Sequence, residues 1–220
     1  MEFLMHNTHI LMAGMVGLFL ILTGALANRK LRNVQANLVP ADNPGAASIF
    51  EVVTEGALGL MEATMGDRAA QFLPLIGTLF LYIFVCNFIG LIPGLVPPTE
   101  NINTNAACAL VVFLYYNYQG VKTHGFTNYM KHFLGPVIWL GPLMLVIELI
   151  SHAVRPVSLS VRLFGNITGD HMVLEVFTDL TKLVIPVIFL GLGLFVSFIQ
   201  AFVFSLLSMI YIALATEHDH

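Results

Sequence analysis

The sequence predicts an all-α integral membrane protein. It reads as an N-terminal spanning helix, a short amphipathic surface helix, a two-helix transmembrane hairpin, and two long, steeply tilted membrane helices forming a second hairpin. Three observations predict this. Of 220 residues, 57% are hydrophobic and 10% charged, with a mean hydropathy of +0.85, whereas a soluble domain carries about 25% charged residues. The apolar residues fall in runs long enough to cross a hydrocarbon core of about 30 Å. Basic and non-basic loops alternate between those runs, as positive-inside orientation requires. The net charge is only −4, and there is no basic patch or nucleic-acid motif, so nucleic acid is excluded as a partner.

Residues 9–27 form the first span. Its core ends in Ala25-Leu26-Ala27, resembling a signal-peptidase site, but the only early charge is Glu2, and Arg29, Lys30 and Arg32 follow the core. A signal peptide places its positive charge first, so this is a retained helix with its N-terminus outside. The turn residues PADNPG (40–45) mark a loop. Residues 48–65 mix Ile49, Val52, Val53, Leu60 and Met61 with acidic residues; the stretch is too polar to span and suits the inner surface. Ser48 and Glu51 have capping-box spacing. A span over 71–93 leads to GLVPPTENINTN, a turn without Lys or Arg that belongs outside. A span over 104–118 then returns the chain to an inner loop holding Lys122 and Lys131. Cys86 and Cys108 read as small buried thiols, and their spacing suggests no metal. No cofactor or metal is expected.

Residues 136–177 and 182–215 are mostly apolar over roughly 40 and 34 residues, or about 60 and 50 Å of helix. An upright span needs about 20 residues. These helices must therefore tilt steeply or bend, with Pro142, Pro156 and Pro186 as kink sites, and they turn near FTDLTK. The crossing count puts the C-terminus inside.

On the first long helix, Glu148, Ser151, Arg155, Ser158, Arg162, Asn166 and Gly169 fall within an arc of about 80°, with His152 and Asp170 on its border. This is one polar stripe on a membrane helix. Glu148 with Arg155, and Asn166 with Arg162, would satisfy one another as static glue. Arg162 resists that reading. At a helix centre it costs about 2.5 to 3.5 kcal/mol, and no acid lies within one turn of it. Because it cannot shed its proton, its partner comes from elsewhere in the chain or from another subunit. Asp170, His171 and Glu175 form a second titratable group nearer the outer end, made of the materials of a proton relay or of a headgroup-level cluster. On the second long helix Gly193, Ser197, Gln200, Ser208 and Tyr211 form a stripe of mostly small residues. Gln200 is the exception, a long amide placed either to serve the arginine or to act as interhelical glue.

These residues resemble the a subunit of F-type ATP synthases. RPVSLSVRLFGNITGDH is similar to that family's arginine signature, and FIQAFVFSLLSMIYIALATEH to its last helix. NFIGLIPG and PPTENINTN are similar to its second crossing and the loop that follows. The resemblance implies a stator channel facing a rotating c-ring, with subunit b of the stator stalk and the remainder of the complex as partners in the lipid bilayer. It implies that Arg162 attracts the ionised carboxylate of a c subunit, flanked by Asn166 and Gln200. Glu148, with Ser151 alongside, would lie in an inner aqueous half-channel. His171 stands where many bacterial members carry a glutamate in the outer half-channel, and the position facing it on the last helix is Gly193, so Asp170 or Glu175 could share that role. The chain has no nucleotide-binding motif, so ATP chemistry would lie in other subunits. The implied location is the bacterial cytoplasmic membrane.

Two rival classes fare worse. A self-contained proton-coupled transporter predicts inverted repeats, and none is evident. A haem-binding anchor wants facing histidines, but His152 and His171 share one helix about 28 Å apart.

Overall fold

The structure is a computed structural model that describes residues 8–31, 46–66, 69–92, 95–127, 129–130, 140–180 and 184–216. Its elements are α1 (Thr8–Leu31), α2 (Ala46–Met65), α3 (Ala69–Ile89), a 3-10 turn (Pro98–Glu100), α4 (Ile102–His124), α5 (Gly141–Leu180) and α6 (Val184–Thr216). Among the described residues every regular element is helical, so the predicted class holds. Four helical stretches are long and apolar enough to cross a membrane: Thr8–Leu26, Ala69–Ile89, Gly141–Thr178 and Val187–Thr216. The chain is an integral membrane protein.

The helix α4 does not reach that apolarity, because Asn103, Asn105, Asn117, Gln119 and three tyrosines dilute it. Asn105 and Tyr116 are buried, so part of this polarity serves packing. The crossing expected over 104–118 rests on the charges of the flanking loops rather than on composition.

The chain divides into two compact units, residues 1–98 and 99–220. In the first, α1, α2 and α3 touch one another, and Phe72, Ile76, Leu79 and Ile83 bury one stripe of α3. The helix α2 starts at Ala46, two residues before the cap expected at Ser48. Ala46 and Ala47 are strong helix formers and extend the first turn backward. Cys86 is buried and Cys108 partly so.

In the second unit α4, α5 and α6 pack pairwise. Lipid is as apolar as Leu, so close van der Waals packing, not hydrophobic expulsion, holds such helices together. Small buried residues permit it: Ala109 on α4, Ser160 on α5, Ala201, Ser205 and Ser208 on α6. Leu159, Leu163 and Ile167 follow at helical spacing on the packed side of α5.

Both ends of α4 are fixed locally. The Asn101 side chain caps it by accepting the Asn103 N–H at 2.9 Å. At the other end Gly125 adopts φ 76 and donates its N–H to the Val121 carbonyl; a left-handed terminus of this kind favours glycine. Of the three prolines expected to kink the long helices, Pro142 and Pro186 fall in first turns, where an N–H has no helical partner anyway. Only Pro156 lies inside α5, which stays helical through it for 40 residues. Ser160 Oγ donates to the Pro156 carbonyl at 2.7 Å. The turn expected near FTDLTK falls partly on residues 181–183, outside the described ones.

Candidate functional site

The polar stripe of α5 lies along the rim between its packed and open faces. His152, Leu159, Leu163 and Ile167 are buried on one side, and Val154, Val157 and Val161 are exposed on the other. Between them, Arg155 and Ser158 are partly covered, while Ser151, Arg162, Asn166 and Gly169 are exposed. Every site residue proposed on α5 thus belongs to one rigid helix, at different depths along it.

Toward the start of α5 the structure builds a closed polar cluster. Glu148 Oε1 lies 3.2 Å from His152 Nε2 and 4.0 Å from Arg155 Nη2. Glu148 and His152 are one helical turn apart, a spacing that stacks side chains. His152 Nδ1 lies 2.9 Å from the Tyr116 hydroxyl. The Arg155 guanidinium carbon sits 5.7 Å from the Tyr116 ring centre and 5.3 Å from that of Tyr211, within cation–π reach. The Glu148–Arg155 pairing considered from sequence therefore forms, joined by three further residues. Ser151 is exposed beside it.

Arg162 differs. Its side chain is exposed, and among the described residues none forms an ion pair or hydrogen bond with it. The alternative of an Arg162–Asn166 pair is not what forms. Asn166 Nδ2 donates to Gln200 Oε1 at 2.5 Å, joining α5 to α6. Gln200 is buried, and its own amide nitrogen finds no acceptor among the described residues. The structure thus brings Asn166 and Gln200 together one turn beyond the arginine.

Farther along, His171 Nδ1 comes within 3.7 Å of Glu100 Oε2. Glu100 ends the 3-10 turn, which is held by Asn105 Nδ2 donating to the Thr99 carbonyl at 2.7 Å. Asp170 is half-buried, Glu175 is exposed, and Gly193 is buried on α6. The carboxylate that reaches His171 is therefore one the sequence reading did not single out. Its signal was its place in PPTENINTN, directly before the capped start of α4. Tyr116 was missed too, since one tyrosine in YYNY carries no mark of its partner. Along the helix, Glu148 precedes Arg162 by about 21 Å and His171 follows it by about 14 Å.

Residues 9–213 match the family described as ATP synthase A chain. The chain belongs to the ATP synthase A chain family. It is 45% identical over 212 residues to ATP synthase subunit a of Bdellovibrio bacteriovorus, covering 96% of this chain and 93% of that one. It is 47% identical to the subunit a of Trichlorobacter lovleyi over 201 residues, 91% and 84% of the two chains. With the subunit a of Geobacter sulfurreducens it shares 51% over 176 residues, 80% and 76% of the two chains. The family drawn from RPVSLSVRLFGNITGDH and the last helix is thus the right one. The two titratable clusters contain their own partners, Glu148 with His152 and Arg155, and His171 with Glu100, whereas Arg162 between them has none among the described residues.

Proposed function

We propose that this chain is the proton-conducting stator subunit of an F-type ATP synthase, coupling transmembrane proton flow to rotation of a c-ring. Arg162 meets the ionised carboxylate of a c subunit, with Asn166 and Gln200 flanking it. Glu148 and Ser151 belong to an inner aqueous half-channel. His171 belongs to an outer one, where Glu100 supplies a carboxylate and Asp170 and Glu175 share the path. A proton entering from outside neutralises a c carboxylate, which can then turn into lipid. After nearly a full turn it meets the inner half-channel and releases the proton. Arg162 favours the ionised carboxylate and blocks a direct leak between the half-channels. The membrane potential supplies about 2.3 kcal/mol per charge per 100 mV.

The observation that carries this reading is the exposed guanidinium of Arg162, without a counter-charge among the described residues and midway along one helix between two titratable clusters. An arginine at membrane depth costs about 2.5 to 3.5 kcal/mol and stays charged. A counter-charge on another chain that arrives and leaves gives that cost a use. ATP chemistry lies in the other subunits, and subunit b completes the stator. The membrane is the bacterial cytoplasmic one, with the N-terminus outside and the C-terminus inside.

The test is Arg162→Ala in the assembled complex, with ATP-driven acidification followed in inverted membrane vesicles. Pumping should drop to background. Undiminished pumping would sink the reading.

A further inference from the structure

The cluster around Glu148 contains a side chain that the proposed path leaves without a role. His152 is buried on α5, yet a polar group stands at each of its ring nitrogens. Glu148 Oε1 is 3.2 Å from Nε2, and the Tyr116 hydroxyl is 2.9 Å from Nδ1. The charged and titratable groups around it come from every neighbouring element. They are Glu148 and Arg155 from α5, Tyr116 from α4 and, across Arg155, Tyr211 from α6. Tyr129, after α4, lies within electrostatic reach of Glu148, Arg155 and Tyr116.

A neutral imidazole has one donating and one accepting nitrogen, and it exchanges protons near neutral pH more readily than any other side chain. With Nδ1–H donated to the Tyr116 oxygen, Nε2 is left as an acceptor facing Glu148. Arg155 remains positive throughout. Moving a proton from Glu148 to His152 therefore leaves the total charge of the cluster unchanged. The transfer itself adds no charge; the one extra positive charge arrives and departs with the proton at Glu148.

We propose that His152 is a proton-accepting residue of the inner path, exchanging a proton with Glu148 across their 3.2 Å contact. The proposal rests on the reading of this chain as the proton-conducting subunit. In the step, the O–H bond of protonated Glu148 breaks and an N–H bond forms at Nε2, giving a carboxylate and an imidazolium. On release the N–H bond breaks, the carboxyl O–H re-forms, and the proton leaves Glu148 for water on the inner side. One proton enters and one leaves, and no electron moves. Tyr116 is a positioning residue, because it fixes which ring nitrogen faces the carboxylate.

The experiment follows ATP-driven pumping against pH, from roughly 5 to 8 where histidine titrates, in inverted vesicles carrying the assembled complex. His152→Asn should pump several-fold more slowly and lose the part of the pH dependence in that range. Tyr116→Phe keeps the ring beside Arg155 but removes the hydroxyl, and should displace the midpoint of the pH profile. Wild-type rate and profile in His152→Asn would overturn the proposal. Should His152→Asn fail to assemble, Tyr116→Phe decides, since a midpoint left in place overturns the proposal equally. Arg162→Ala run in parallel separates the two ideas. If it is silent while His152→Asn is normal, only the role of His152 fails; if it pumps normally, the underlying reading fails.

Discussion

Arg155 and Arg162 stand two helical turns apart on the same polar stripe of α5, yet they occupy opposite situations. Arg155 is partly covered, 4.0 Å from Glu148 and beside the rings of Tyr116 and Tyr211. Arg162 is exposed and has no such neighbour among the described residues. A charge at membrane depth is tolerated when paired, so Arg155 is explained by its own chain and Arg162 is not. The same residue type on the same face thus stands in two settings: one arginine completes a cluster, and the other, in the function proposed above, meets a charge from another chain.

The largest expected effect tests that contrast directly. Arg162→Lys keeps the charge but loses the planar fork that matches a carboxylate, and pumping should stay at background. Arg155→Lys should leave substantial pumping, because Glu148 keeps a cationic neighbour. If the two results were exchanged, the contrast would be wrong. A smaller effect is expected at the outer cluster. His171→Leu and Glu100→Gln should each slow coupled transport several-fold without stopping assembly, read from pumping rates normalised to complex content. Wild-type rates in both would move the outer relay to Asp170 and Glu175.

The smallest effect concerns packing alone. A Cβ on Gly120 would lie 2.5 Å from a ring carbon of Tyr129. Burial pushes the Tyr129 hydroxyl up to about 12, so at neutral pH it stays protonated and donates to Asn117 Oδ1 at 2.9 Å. Gly120→Ala should displace that ring at a cost of about 1 to 3 kcal/mol. The expected readout is a lower melting temperature of the solubilised complex with pumping per complex retained. An unchanged melting temperature would mean that the ring shifts freely.

Much of this was legible in the sequence because it follows from period and composition. The helical class, the length of α5 and the shared face of Glu148, Arg155, Arg162 and Asn166 all come from counting along one helix. What counting cannot supply is contact between segments distant in the chain. His171 meets Glu100 from 71 positions away, and His152 meets Tyr116 from 36. Glu100 is marked only by its place before the capped start of α4, and Tyr116 carries no local mark at all. The prolines mislead for a different reason: a proline breaks a helix only where an N–H is needed, and Pro142 and Pro186 turned out to stand where none is.

Because α5 continues unbroken through Pro156, it acts as a keyed shaft. One residue inserted between Arg155 and Arg162 would shift the second arginine by only about 1.5 Å in depth, but would swing it about 100° in azimuth. That swing would carry it, and Asn166 with it, off the rim shared with Arg155. The seven-residue interval between the two arginines is close to two whole turns, and this phase, more than depth, keeps both on one edge.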